Sequence, residues 1–402
     1  MEEAMSVISS LAAAALAGAP GADEDRGALA DRVILDLRLR YEHVDQDGSP
    51  EEADALTARA RFGWVSPERH DLQLLVEGEA VGVLIDDYND TINGRAGFPV
   101  VADPEVVELN RAQIAWTGIE DTTVTVGRQR VILDDARFVG NVGFRQNEQT
   151  YDAARVTTGV IPGVTVNYAY IDRVHRIFGD DSPVGEFDSD SHLLNAAFDT
   201  PVGTITGYGY LVDLEDAPAV SSQTWGARLT GGRELASGWR ARYAAAYARQ
   251  SDYGDNPASF DHDYASLKVS LDNGPFSIGG GFERLDGDGA TAFTTPLATL
   301  HAFQGWADVF LATPPEGIDD YSLQAAWTFE NFSAVGDLTV RLVGHEYEAV
   351  RGGGDLGSEI DAVAGLSIGD RWSLELKAAA YDGDGSRFAD RTKVWTALSY
   401  AF

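Results

Sequence analysis

The chain ends Thr392-Lys393-Val394-Trp395-Thr396-Ala397-Leu398-Ser399-Tyr400-Ala401-Phe402. Counting back by twos, Phe402, Tyr400, Leu398, Thr396 and Val394 fall on one side. Ala401, Ser399, Ala397 and Lys393 fall on the other, with Trp395 as the exception. A period of two is that of a β-strand whose faces meet different surroundings. Two settings satisfy it: an edge strand of a soluble β protein, or a barrel wall with lipid outside and water within. The rest of the chain decides between them.

The same alternation recurs from the start. Val33, Leu35, Leu37, Leu39 and Tyr41 share one face, and Ile34, Asp36, Arg38, Arg40 and Glu42 the other. Leu56, Ala58, Ala60, Phe62 and Trp64 alternate with Thr57, Arg59, Arg61 and Gly63. Leu72, Leu74, Val76, Gly78 and Ala80 alternate with Gln73, Glu77 and Glu79. Further strands are expected at 106–117, 122–129, 150–158, 164–173, 192–199, 203–213, 223–231, 239–250 and 262–272. The last group is 275–284, 321–329, 338–346, 358–368, 372–381 and 392–402, making about 18 strands in all. An even count joined by alternating short and long connectors predicts an all-β, transmembrane antiparallel β-barrel. Trp64, Trp116, Trp225, Trp239, Tyr321, Trp327 and Trp372 cluster at the ends of the apolar faces, where amphipathic rings settle at a membrane–water boundary. A soluble propeller would repeat a signature every 40–45 residues or so, and no such repeat is present.

Composition agrees. Cysteine is absent, which excludes disulfides and thiolate metal sites. Basic residues number 30 against 64 acidic ones, a net charge of −34, so a nucleic-acid footprint is not expected. Only Lys268, Lys377 and Lys393 among the basic residues are lysines; the rest are arginines, suited to bidentate carboxylate contacts. Residues 1–22 hold an Ala-rich apolar core ending Ala17-Gly18-Ala19, read as a signal peptide although Glu2 and Glu3 occupy its n-region. The barrel domain is then 23–402.

A barrel this wide encloses a water-filled channel whose lining selects what passes. Alternation turns Arg38, Arg40, Arg59, Arg61, Arg155, Arg240 and Arg242 inward, answered by Asp36, Glu42, Glu77, Glu79, Glu359 and Asp361. Two roles fit equally: a guide for anions, or a ladder of ion pairs bracing the wall. Two connectors are long and carry apolar residues of their own. The segment 130–149, after Arg128 and Arg130, includes Arg137 and Arg145. The segment 286–320 sets Phe303, Trp306 and Phe310 at near-helical spacing ahead of Pro314-Pro315. Loops of such length are typically lids or binding elements.

Gly127-Arg128-Gln129 after a strand, Phe303-Gln304-Gly305-Trp306-Ala307-Asp308 with Thr313-Pro314-Pro315-Glu316-Gly317 behind it, and the terminal Phe402 resemble the alginate-export family of outer-membrane porins. The resemblance runs from about Asp31 to Phe402. It implies an eighteen-stranded barrel with an arginine-rich lumen that passes anionic polysaccharide. Arg128, Arg130 and Phe303, Gln304, Gly305, Trp306 and Asp308 are the positions carried across, the last five as a constriction. It also implies that Tyr400 and Phe402 are read by the barrel-assembly machinery.

Seven scattered histidines include no pair at zinc-ligand spacing. Asp286-Gly287-Asp288-Gly289 and Asp382-Gly383-Asp384-Gly385 offer oxygen ligands for Ca²⁺ in external loops but lack the full EF-hand spacing. No cofactor and no enzymatic activity are expected. The expectation is therefore a monomeric channel in the bacterial outer membrane, surrounded by its lipids, for hydrophilic, anionic solutes or polysaccharide. The alternatives are a general diffusion porin without anion preference and a closed barrel serving as adhesin or enzyme.

Overall fold

The structure, a computed structural model, describes residues 32–383 and 387–402. The expected signal peptide and part of the Asp382–Gly385 stretch lie outside them. Eighteen strands follow one another: β1 (Val33–Gln46), β2 (Ala53–Val65), β3 (Leu72–Asp87), β4 (Val106–Ile119), β5 (Thr122–Gln129), β6 (Thr150–Ile161), β7 (Val164–His175), β8 (Glu186–Thr200) and β9 (Gly203–Val212). The second half is β10 (Ser222–Glu234), β11 (Arg240–Asp252), β12 (Asp261–Asn273), β13 (Phe276–Asp286), β14 (Gly317–Phe332), β15 (Gly336–Glu348), β16 (Asp355–Ile368), β17 (Trp372–Asp382) and β18 (Arg391–Ala401). Each pairs antiparallel with its neighbours in sequence. β1 and β18 close the wall, with Leu39 opposite Leu398 and Glu42 opposite Trp395.

Closure leaves no open sheet edge, so the backbone is satisfied within the wall, as a bilayer demands. Side chains are sorted opposite to those of a soluble protein. Phe62, Val107 and Leu323 expose 65%, 83% and 65% of their surface outward, whereas Arg40, Glu42, Arg59, Arg61 and Glu79 are buried inside. An apolar outer wall around a charged interior places the barrel in a membrane. Exposed Trp64, Trp327, Phe329 and Trp372 ring the short-turn end; Trp225, Tyr247 and Tyr321 ring the other. The short turns use expected chemistry: between β6 and β7, Pro162 is followed by Gly163 at φ 75°, the arrangement of a type II turn.

Several strands outrun the expected segments. β3 continues to Asp87, β8 begins at Glu186 and β14 at Gly317. Apolar alternation marks only the lipid-crossing part of a hairpin. Above it the ladder continues with polar residues such as Asp188, Asp190, Asp319 and Asp320.

The hydrophobic core lies inside the barrel. Val131, Leu133 and Val139 of the β5–β6 connector and Phe293, Leu297, Trp306 and Phe310 of the β13–β14 connector pack against Tyr151, Tyr208, Tyr264, Tyr347, Tyr381 and Trp395 of the wall. The connectors also hold each other: Gly140 N–H donates to Leu297 O (2.8 Å) and Thr299 N–H to Ala136 O (3.0 Å). A Cβ on Gly140 would meet Thr299 Oγ1 at 2.3 Å, so this approach requires glycine. The helical turn expected around Phe303–Phe310 does not form. Gln304, Gly305 and Asp308 take positive φ (51°, 79° and 58°), which breaks a right-handed helix. The only helical geometry there is a short 3₁₀ turn, Leu300–Ala302.

The lipid-facing reading has a direct test. Leu323 sits in mid-strand on the outer face, and Leu323→Arg should destabilise the barrel by about 2–4 kcal/mol near the bilayer midplane. Reversible unfolding in lipid vesicles measures it; an unchanged midpoint would contradict this face assignment.

Candidate functional site

The arginines on β1 and β2 meet the first inward connector. Arg38 Nε donates to Gln146 Oε1 (2.9 Å) and Nη1 to Gly143 O (3.2 Å), and Nη2 reaches Arg145 O. Arg40 caps Phe144 O and pairs with Glu42 (2.6 Å) and Asp103 (3.0 Å). Arg59 pairs with Asp36 (2.5 Å), and both Arg59 and Arg61 donate to Gln146 O (3.4 Å each). Arg61 also pairs with Glu79, and Arg130 with Glu148, the latter through Nε at 2.8 Å. The connector thus places its carbonyl oxygens, unused by any helix, onto a ready row of guanidinium donors.

The second connector is fastened by the opposite charge. Asp308 accepts Lys393 Nζ (2.7 Å), Arg145 Nη2 (3.2 Å) and a His301 Nδ1 bond (2.7 Å). Glu42 accepts Arg145 as well (3.1 Å). Lys377 Nζ donates to His301 Nε2 (2.6 Å), which fixes the imidazole proton on Nδ1. His301 stacks on Phe144 with ring centroids 3.5 Å apart, and Trp395 abuts both. Backbone donors of the constriction motif reach wall carboxylates: Trp306 N–H to Asp361 (3.3 Å) and Ala307 N–H to Glu359 (2.7 Å). Gly305 passes so close to the wall that a Cβ would strike Glu359 and Tyr347. Phe303 packs its ring under Arg137, which pairs with Glu283 (2.8 Å) and Gln304 (3.1 Å).

The structure therefore brings Arg38, Arg40, Arg59, Arg61 and Arg130 to one connector, and Phe303, Gln304, Gly305, Trp306 and Asp308 into one plug. The other expected arginines lie apart. Arg128 stands at the top of β5, on the strand side that carries exposed Val126, and pairs with Asp152 (3.0 Å). Arg155 faces inward and donates to Asn167 (2.8 Å). Arg240 and Arg242 pair with Glu234 (3.4 Å) and Asp272 (2.7 Å) near the short-turn end. Tyr400 and Phe402 sit on the outer face of the closing strand.

Sequence alternation missed Asn110 and Arg111. A register shift places Gly78 opposite Leu109 and Glu77 opposite Arg111, so Asn110 is an extra residue in a β-bulge. Both side chains then reach Glu77: Asn110 Nδ2 at 2.8 Å, Arg111 Nε and Nη2 at 2.8 Å each. Asn110 also bonds Glu148 (2.7 Å). Strict alternation gives no sign of a bulge. Lys377 and Lys393 were legible only as two of three rare lysines.

No family model and no curated protein matches this chain. Solved structures do match. A Pseudomonas aeruginosa OpdK structure with vanillate gives a TM-score of 0.72 at 14% identity, covering 94% of this chain and all of that one. OpdL of the same organism gives 0.67 at 18%, covering 92% and 98%. Acinetobacter baumannii OccAB2 gives 0.69 at 18%, covering 94% and 100%.

The plug is expected to respond to pH with a definite sign. Burial holds the His301 imidazole down at about 3, with Asp308 pulling it up and Lys377 pushing it further down. Burial alone would raise Asp308, yet His301, Lys393 and Arg145 hold it well below the usual carboxylate range. As pH falls below about 6.5, an unseated loop takes up a His301 proton that the seated loop refuses, so seating weakens. Protonation of Asp308 weakens it again below about 3.8. Single-channel recordings should show a noisier, more conductive state between pH 6.5 and 4, lost in His301→Gln. Asp308→Ala leaves Arg145 and Lys393 buried against one fewer carboxylate. It should cost about 3–5 kcal/mol of plug stability, read as enlarged open-channel current at neutral pH.

The wall, its closure and its apolar exterior have the architecture of these solved barrels: the chain has the fold of an eighteen-stranded outer-membrane porin.

Proposed function

We propose that the chain is a passive outer-membrane channel for small hydrophilic solutes carrying negative charge. The observation that carries this reading is a set of inward cations left over after the ion pairs are assigned. Among the described residues, inward Arg38, Arg155 and Lys268 have no carboxylate at ion-pair distance, nor do Lys377 and Arg391, which are spent on His301 and on the carbonyls of Ala307 and Asp308, whereas Arg40, Arg59, Arg61 and Arg130 are each taken by one. Arg38 is bonded only to amide and carbonyl oxygens, Arg155 to Asn167, and Lys268 lies 5.0 Å from the Phe303 ring centroid. All three stand part-way down their strands. A cation without a carboxylate partner in a confined lumen is a handle for a passing anion.

The paired arginines, and Arg38 through its three bonds to the first connector, then belong to the bracing role, and Arg155 and Lys268 to guidance. The likeness to an OpdK structure holding vanillate, a small carboxylate, is compatible with such cargo. Export of a polymeric anion, the function suggested by the alginate-export resemblance, would require both inward connectors to leave their wall contacts. The burial of Trp306, Ala307 and Phe310 favours small solutes instead.

The test is the reversal potential across a KCl gradient in planar bilayers. Anion selectivity is expected for the native chain. A unit charge about 4 Å from a passing ion is worth about 1 kcal/mol in water, so Arg155→Gln and Lys268→Gln should each lower anion permeability by up to about fivefold. Arg240→Gln, already paired near the turn end, should change it little. Cation selectivity in the native chain would overturn the anionic cargo, and absence of conductance would revive the closed-barrel reading.

A further inference from the structure

Beyond the lumen, the external end of β6–β8 gathers His175, Asp180 and Glu186, whose candidate ligand atoms all lie within 4.8 Å of one another. The connector 176–185 is folded so that Asp180 returns to the strand ends. Gly179 N–H bonds Arg176 O, Ser182 N–H bonds Gly179 O, Gly185 N–H bonds Ser182 O, and Arg176 N–H closes the loop on Gly185 O at 2.7 Å. A Cβ on Gly185 would lie 1.9 Å from Gly179 O, so the crossing needs glycine there.

The second observation concerns His175 itself. Its side chain is 4% exposed, and Nε2 lies 2.9 Å from Asp152 Oδ2. A carboxylate accepts, so an imidazole that donates one proton here does so from Nε2, and its Nδ1 is the nitrogen facing the cluster. Nδ1 has no hydrogen-bond partner, yet Glu186 Oε1 lies 3.1 Å from it. Two acceptors at that distance repel unless a cation lies between them. Two ligands bound to one zinc at about 2.0–2.1 Å span about 3.3 Å in a tetrahedral site.

The surroundings supply what such a site needs. Asp152, which orients the imidazole, is itself clamped by Arg128 through Nε (3.0 Å) and Nη2 (3.3 Å). That is the carboxylate–histidine arrangement found behind metal-bound imidazoles. Arg173 occupies Glu186 Oε2 (3.3 Å) and leaves Oε1 for the cluster. Asp180 is exposed, which gives an entry path. One imidazole with two carboxylates suits a first-row divalent transition-metal ion better than calcium, which takes oxygen ligands.

We propose that His175, Asp180 and Glu186 bind one divalent transition-metal ion, zinc being the probe, with Asp152 as a positioning residue. The bound ion ties the external connector to the tops of β7 and β8. Histidine spacing gave no sign of it, because two of the three ligands are carboxylates within one connector and its flanking strand. This site is independent of what the channel carries.

The experiment uses the full chain folded in detergent and stripped with a chelator, then titrated calorimetrically with zinc chloride, with bound metal counted after dialysis. Folding of every variant is checked by the heat-modifiable gel mobility of the intact barrel. One saturable equivalent is expected in the native chain, lost in His175→Gln and in Asp180→Asn. Asp180 is an exposed loop residue, so its replacement leaves the wall intact. Asp152→Asn should weaken binding about 10–100-fold without abolishing it. No saturable zinc uptake by the native chain overturns the proposal; His175, Asp180 and Glu186 would then be a polar cluster at the strand ends and nothing more. Native-like uptake by a folded Asp180→Asn variant overturns it equally.

Discussion

The interior depends on one buried cluster of charge. Glu42 and Asp308 accept Arg40, Arg145 and Lys393 in a space with almost no solvent. Isolated, any of these ions would be costly to bury. Together they join β1, β18 and both inward connectors, four segments far apart in the chain. The aromatic packing of Phe144, His301 and Trp395 follows from that joint, since the cations of Lys377 and Lys393 lie over the same rings. The plug is therefore held by electrostatics at its centre and by apolar packing around it, in a barrel whose wall alone would leave a wide opening.

Much of the wall was legible in the sequence, because lipid on one side and water on the other force a period of two. Leu37, Leu39 and Phe62 declare the outer face, and Arg38, Arg40 and Arg59 the inner one. Even Trp395, which breaks the small and polar pattern of the inner face of the last strand, is explained by what lies inside the barrel. It faces inward and is 1% exposed, against the plug. What alternation cannot report is a change of phase. The bulge at Asn110 turns two consecutive side chains toward Glu77, and no local residue marks it.

The plug was legible only in outline. Length and apolar content marked 130–149 and 286–320 as structured. The spacing of Phe303, Trp306 and Phe310 suggested a helix, but the wall supplies Asp361 and Glu359 as acceptors for the backbone N–H groups there. That removes the need for internal helical bonds. Likewise, which arginines brace and which stay available depends on partners more than 80 residues away, as with Arg38 and Gln146. Such pairings come from the closed barrel and not from local pattern.

The closing strand has a consequence for the order of assembly. Lys393 and Trp395 belong to the closing strand, and both are parts of the plug's anchorage. Arg391 adds bonds to the carbonyls of Ala307 and Asp308 (3.0 and 2.8 Å). Until that strand arrives, Asp308 lacks a principal cation and His301 lacks one of its aromatic neighbours. The final hairpin thus completes two objects in one event, the cylinder and its constriction. An unclosed barrel therefore holds its interior by fewer bonds than a closed one, and sealing the wall tightens the constriction.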